Sequence, residues 1–213
     1  MVLHDFWTFF IWSTVTGLAV IGIYQLFLLI LRARGVFVTR TKFGLTMIFD
    51  SEDADGTPIR LLNVNGTFQS VSYIAPELRF EPCVHYHRMM AKVIQQVSAR
   101  GHVVVMGGGG FSLPKHLATH MSGGVIDAIE IDPKIVSLAR EHFFLDEALA
   151  AASSELRVIE DDAWKVLQDA DASSIDVLVN EVFAGRKSLG PLGTPAGAQV
   201  VKEKLADGGV YLA

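Results

Sequence analysis

Four groups of residues in this 213-residue chain are of types that do chemistry, and they share one kind of position. Gly107 to Gly110 follow the apolar run Val103 to Met106. Glu130 and Asp132 close the run that starts at Val125. Asp161 and Asp162 come just after Leu156 to Ile159. Asn180 and Glu181 close Ile175 to Val179. Each polar group stands where a short β-branched run gives way to a loop. In an open parallel sheet the ligand crevice lies outside those carboxyl ends. Glycines there let the backbone approach a ligand, and an acid ending the next strand accepts both hydroxyl protons of a ribose. The pattern is that of nucleoside binding. Glu130 follows its apolar run directly and is the ribose candidate. Asp132, before Pro133, reads as a helix N-cap. Asp162 has two readings, an N-cap or an acceptor for an adenine amino group, and its position allows both. Glu181 faces the place where a reacting centre would sit and can act as general base.

Other reactive types carry less. A dinucleotide fingerprint over Gly107 and Gly109 wants a third glycine at position 112. The chain has Ser112 there, so an NAD-dependent oxidoreductase is a secondary reading. His116 and His120 have a spacing that can bind a metal, but neither a cysteine nor an HExxH glutamate accompanies them. The reading is an exposed polar helix face and no metal. His85 and His87 flank Tyr86 near a helix start and are placed to line a pocket. The single cysteine is Cys83. It excludes an internal disulfide framework, and nothing near it marks an activated thiol.

The elements that must position these groups follow from periodicity. Leu45 to Phe49, Ile59 to Val64 and Thr67 to Tyr73 read as strands of a small antiparallel element, with Asn65-Gly66 as a hairpin turn. A helix is expected from Val84 to Ala99. Strands then alternate with helices: Val103 to Met106, helix Leu113 to His120, Val125 to Ile131, helix Pro133 to Phe144, Leu156 to Ile159, helix Ala163 to Asp169, Ile175 to Val179, helix Ala196 to Leu205, and a last strand from Val210. That alternation is the mark of a parallel sheet with covering helices. Within the looser segment Phe183 to Pro195, the run Ala184 to Pro191, with Arg186 and Lys187, is polar and glycine-bearing enough to act as a lid. The chain stops within its last strand, which reads as an incomplete domain or as an edge that a second copy completes in a homodimer.

Half of the residues are hydrophobic, and the excess lies at the front. Residues 6–31 contain no charged side chain. That run is long enough for the ~20 apolar residues that cross a bilayer. Arg32, Arg34, Arg40 and Lys42 follow, so the positive-inside bias puts the rest of the chain in the cytoplasm as a single-pass membrane protein. A cleaved signal peptide would carry its basic residues before the apolar run, not after it. The resulting division is an N-terminal segment at 1–5, a transmembrane helix at 6–31, a basic linker at 32–42, a small β element at 43–75 and a nucleoside-binding domain at 76–213. The formal net charge is −5. No basic cluster beyond the linker points to nucleic acid.

The order of these motifs resembles the spermidine synthase (polyamine aminopropyltransferase) family, with its Rossmann-like, class I methyltransferase-like fold. Asn65-Gly-Thr-Phe-Gln69 stands where the family has Asp-Gly-x-x-Gln. Tyr86-His-Arg-Met89 matches Tyr-His-Glu-Met, Gly107 to Phe111 match Gly-Gly-Gly-Asp-Gly, Glu130-Ile-Asp132 is kept, and Asp162-Ala163 matches the pair after the third strand. The resemblance implies an α/β fold binding S-adenosylmethionine or decarboxylated S-adenosylmethionine as co-substrate. Gln69, the glycines Gly107, Gly108, Gly109 and Gly110, Glu130 and Asp162 would hold the nucleoside, and Glu181 falls at the family's catalytic Asp. The sequence departs from the family where a polycation would bind. Gly110 replaces an acid that grips the transferred chain, and Ala184 replaces a second acid. The expectation is therefore a membrane-anchored, divergent transferase that moves a methyl or aminopropyl group to a small-molecule acceptor, leaning away from aminopropyl transfer. A nucleoside-binding regulatory module with weak or no catalysis is the alternative from another class.

Overall fold

The computed structural model describes residues 2–98, 100–182 and 190–213. Helix α1, Val2–Ala33, comes first. Its stretch Trp7–Ala33 is 27 residues long, apolar enough to cross a membrane, and not buried against the rest of the chain. Phe9, Trp12, Leu18, Ile23 and Leu29 are all exposed. They point outward in different directions, so the helix is apolar all round rather than one-sided. At about 1.5 Å per residue it exceeds the ~30 Å bilayer core.

A four-stranded antiparallel sheet follows, in the order β1 (Phe37–Thr41), β2 (Gly44–Glu52), β3 (Pro58–Val64), β4 (Thr67–Tyr73). Residues 32–42 are therefore not a plain linker. Val38, Thr39 and Thr41 are β-branched and favour a strand. The chain then turns at Lys42 and Phe43 so that β1 pairs with β2, Thr41 opposite Gly44. The Asn65-Gly66 hairpin forms as read, with φ of 51° and 83°. Positive φ at both residues is what a two-residue hairpin turn of this kind requires.

The second sheet has five parallel strands in the order β7 (Glu155–Ile159), β6 (Val125–Ile129), β5 (His102–Met106), β8 (Ile175–Asn180), β9 (Leu205–Leu212). Helices α2 (His85–Val97), α3 (Ser112–His120), α4 (Pro133–His142), α5 (Leu145–Ala151), α6 (Ala163–Asp169) and α7 (Pro195–Lys204) cover it. The sheet is buried on both faces, which is why β5 reads as an unbroken apolar run. Val103 and Val105 pack with Ile94, Leu113 and Leu117 on one face. Val104 and Met106 pack with Leu167 and Val201 on the other.

Several boundaries differ from the sequence reading, and three of the differences have a visible cause. The helix expected through Phe144 ends at His142, because Phe143 is fully buried with Ile48, Leu62 and Ile135, where the small sheet meets α4. Phe144 then takes φ 60° and starts α5, an Ala-rich helix that apolar periodicity alone did not separate. At the end of the chain β9 begins at Leu205, and Ile175 pairs with Leu205 while Val177 pairs with Val210. Gly208-Gly209 is thus a bulge inside the strand rather than a turn before it.

Two contacts lock the sheets together. Asp132 accepts from Lys134 N–H at 2.9 Å, the helix cap expected of it, and also from Lys42 N–H at 2.6 Å in the β1–β2 turn. Lys115 of α3 is fully buried, donating to Ser72 Oγ on β4 at 3.1 Å and to the Phe143 carbonyl. Burial disfavours the charged form of an amine. It pushes the Lys115 ammonium down to about 7.

Candidate functional site

The carboxyl ends of β5, β6, β7 and β8 open into a cavity of about 660 Å³, roofed by β4 and by Gly190 to Leu192. It lies beside the point where strand order reverses around β5, the usual place for a ligand in such a sheet. Its lining includes Gln69, Gly107, Gly108, Gly109, Glu130, Asp162 and Glu181, so seven of the eight residues expected to hold the nucleoside or act as base come together.

The floor is the bend after β5. Gly107 has φ 99°, and a Cβ there would stand 2.6 Å from the Glu181 carbonyl. Only glycine fits between the ends of β5 and β8. At Gly108 a Cβ would meet the Phe111 ring at 2.5 Å and Glu130 Cβ at 3.0 Å. Gly110 is the exception to the sequence reading. It is buried but does not line the cavity, and a Cβ would meet Ser70 Oγ at 2.7 Å and Phe143 Cδ1 at 3.1 Å. β4 and Phe143 thus fill the place a side chain at position 110 would need.

Glu130 is 8% exposed and turns towards the bend rather than into bulk water. Its Oε2 accepts from Gly108 N–H at 3.0 Å and Gly109 N–H at 3.1 Å, and its Oε1 accepts from Asp132 N–H at 3.0 Å. A carboxylate has about four acceptor sites, so three are filled and one is left. Glu130 both shapes the glycine bend and presents a single free lone pair. The two-hydroxyl clasp expected from sequence needs one of these backbone bonds to be exchanged for a ligand hydroxyl. Asp162 caps α6, accepting from Trp164 N–H at 2.9 Å, while its residue lines the cavity beside Trp164. The two readings left open for it are compatible.

Opposite stands a pair that sequence reasoning saw only in halves. Glu181 Oε2 lies 2.9 Å from His87 Nε2, and Tyr86 Oη donates to the same oxygen at 3.4 Å. Among the described residues, Glu181 Oε1 and His87 Nδ1 are buried without a hydrogen-bond partner. A carboxylate oxygen accepts, so His87 donates from Nε2, and in the neutral ring its Nδ1 is the acceptor. The pair can take up one proton and share the resulting charge, as a general base needs. Burial and then the Glu181 charge push the Tyr86 phenol up to about 12, so Tyr86 stays a donor. His87 was readable as a residue near a helix start, but its partnership with a residue at the end of β8 is a product of the fold.

Several side chains take structural roles. Asn180 donates to Tyr211 Oη at 3.1 Å and ties β8 to β9. Asp161 pairs with Lys165 at the surface. Ser112, where a dinucleotide site wants glycine, donates to the Val71 carbonyl at 2.7 Å and fastens α3 to β4. Burial pushes the Cys83 thiol up to about 11. That leaves it protonated and unreactive near neutral pH. His116 is 8% exposed while His120 is exposed, so only His120 lies on the exposed helix face expected of the pair. The lid residues Ala184, Arg186 and Lys187 lie outside the described residues.

Known proteins share this architecture. The family model described as "Spermine/spermidine synthase domain" matches residues 83–213, more than half of the chain. A search among curated proteins finds no match. A probable spermidine synthase from Corynebacterium glutamicum has a similar structure, with a TM-score of 0.65 and 23% identity over 82% of this chain and 62% of that one. A spermidine synthase in complex with the transition state analogue AdoDATO gives a TM-score of 0.62 at 17% identity, covering 83% and 56%. Human methyltransferase-like protein 13 in complex with SAH gives 0.50 at 22%, covering 61% and 64%. At these identities the likeness is one of fold. This chain spans about 62% and 56% of the lengths of the two spermidine synthase structures.

Proposed function

The chain belongs to the spermine/spermidine synthase family, and from that premise we propose that it is a membrane-anchored transferase. It binds S-adenosylmethionine or decarboxylated S-adenosylmethionine and passes a methyl or aminopropyl group to a small-molecule acceptor. The observation that carries this reading is the placement of Glu130 and the Glu181–His87 pair at one cavity over the Gly107–Gly109 bend.

Gly107 to Gly109 leave room for the nucleoside, Glu130 takes a ribose hydroxyl, Asp162 faces the adenine amino group, and Gln69 reaches in from β4 with its side-chain amide. The sulfonium of the co-substrate makes its attached carbon electrophilic. The acceptor's lone pair forms the new bond to that carbon as the carbon–sulfur bond breaks, and the electron pair leaves on a neutral thioether. The chain's part is to hold the acceptor in line and to receive its proton on the Glu181–His87 pair. Position 110 has neither an acid nor space for one, which supports methyl over aminopropyl transfer. Helix α1, followed by Arg32, Arg34, Arg40 and Lys42, holds this domain at the cytoplasmic face of a membrane.

Calorimetry of the full chain in detergent with both nucleosides tests the reading, followed by turnover assays with amine, hydroxyl and carboxylate acceptors. Binding of S-adenosylmethionine with methyl transfer is the expected result. Tight binding of the decarboxylated form alone reverses the choice of group, and binding of neither removes the assignment.

A further inference from the structure

The two histidines left over from the sequence reading come together with a carboxylate on the outer side of α3. We propose that Glu81, His116 and His120 form a binding site for a divalent transition-metal cation of the zinc type, separate from the nucleoside cavity.

One potential ligand atom from each of the three residues lies within 4.8 Å of the others. His120 Nε2 is 3.0 Å from Glu81 Oε1, and His116 Nδ1 is 3.6 Å from Glu81 Oε2. The rings of His116 and His120 stack with centroids 4.1 Å apart and planes 23° apart. Side chains one turn apart on a helix are neighbours and can stack in this way.

The backbone fixes the tautomers. His116 Nδ1 lies 3.1 Å from the Phe80 carbonyl, and His120 Nδ1 lies 3.0 Å from the His116 carbonyl and 2.9 Å from Thr119 Oγ1. A carbonyl only accepts, so both Nδ1 atoms carry a proton, and in the neutral rings both Nε2 atoms present lone pairs. Histidines that bind metals are held in this way, their other N–H given to a carbonyl. The lone pair of His120 Nε2 then faces a carboxylate oxygen at 3.0 Å, two acceptors with nothing between them. Either a second proton or a shared cation resolves that contact. A proton on His120 answers that one contact, whereas a cation draws on both imidazoles and the carboxylate, whose ligand atoms lie within 4.8 Å of one another. Two imidazoles and one carboxylate are also the ligand set of open zinc sites. Glu81 and His120 are partly exposed, which gives the ion a path in and leaves room for water as a further ligand.

Such an ion would pin the segment between β4 and α2 onto α3. Glu81 precedes the helix that carries His87, and α3 starts at the glycine bend, so the cross-link braces two walls of the cavity without touching it.

The test uses the full chain without a histidine tag, stripped with a chelator and titrated with Co²⁺. A 1:1 uptake with the visible absorption bands of a low-symmetry, nitrogen-bearing site is expected, displaced by Zn²⁺. His120→Ala and Glu81→Gln, both at partly exposed side chains, should weaken uptake by more than the ~10–100-fold that follows loss of an outer hydrogen bond alone. His142→Ala, at a histidine elsewhere, should leave it unchanged. Zn²⁺ should raise the melting temperature of the unaltered chain and not that of His120→Ala. Absence of stoichiometric uptake, or uptake equal in His120→Ala and His142→Ala, overturns the site.

Discussion

Replacing Glu130 by Gln separates what this residue does for the fold from what it does for a ligand. Its three backbone partners, Gly108, Gly109 and Asp132, occupy both oxygens. A glutamine has one acceptor oxygen and an NH₂. If the oxygen stays on the two glycine amides, the NH₂ faces Asp132 N–H, donor against donor. One buried amide is then left unsatisfied, a cost of about 1–3 kcal/mol in stability. The ligand's hydroxyl loses a charge-assisted acceptor as well, about 1.5–3 kcal/mol, or a ~10- to 140-fold weaker Kd at about 1.4 kcal/mol per decade. Calorimetry at a temperature where the variant is fully folded, with an adenosyl ligand and its counterpart lacking the ribose hydroxyls, completes a double-mutant cycle. The unaltered chain should lose that factor on removal of the hydroxyls, and Glu130→Gln should lose little more. Equal losses in both proteins, or a Kd within about twofold for Glu130→Gln, refutes the ribose contact even if stability falls as expected.

Further outcomes follow from the same geometry. Glu181→Gln should lower kcat by about 10²–10⁴-fold, the range for a lost general base, while nucleoside affinity by calorimetry stays close to that of the unaltered chain. Gly108→Ala pushes a methyl into the Phe111 ring and toward Glu130. Both melting temperature and nucleoside affinity should fall, at an overpacking cost of about 1–3 kcal/mol. Lys115, with its folded-state value pushed down to about 7, binds its proton less tightly folded than unfolded. The unfolded chain therefore holds more protons above that value, and stability should rise as the pH goes up from neutral, by at most about 1.4 kcal/mol per pH unit. Denaturant titrations from neutral to mildly alkaline pH should show the slope, and Lys115→Met should flatten it. Removal of residues 1–33 should abolish flotation with lipid vesicles, which the full chain should retain at high salt.

Much of the site was legible because its chemistry sits at strand ends, which periodicity marks. Gly107, Glu130, Asp162 and Glu181 each follow a run of β-branched residues, and a parallel sheet brings such positions to one edge. Less legible was anything decided across the chain. Glu130's three backbone bonds depend on how the bend closes, and the exclusion of Gly110 from the cavity depends on Ser70 and Phe143, which are distant in sequence. The strand at Phe37–Thr41 was hidden because its basic residues read as a membrane flank, although Arg40 lies opposite Leu45 in an ordinary ladder. The break at Phe143 was hidden because its cause is burial against the small sheet. His116 reads as polar surface, yet it packs beneath the Phe80–Glu81 segment, a contact no local pattern encodes.

The most direct test of the central claim is a crystal structure of the chain with a bound adenosyl thioether, the leaving group of the proposed reaction. The account predicts the ribose hydroxyl within hydrogen-bond distance of Glu130, the adenine between Asp162 and Trp164, and the sulfur above Gly107 on the side of the Glu181–His87 pair. Density for the ligand outside this cavity, or a ligand within it that leaves Glu130 on its three backbone amides and touches none of these groups, would contradict it.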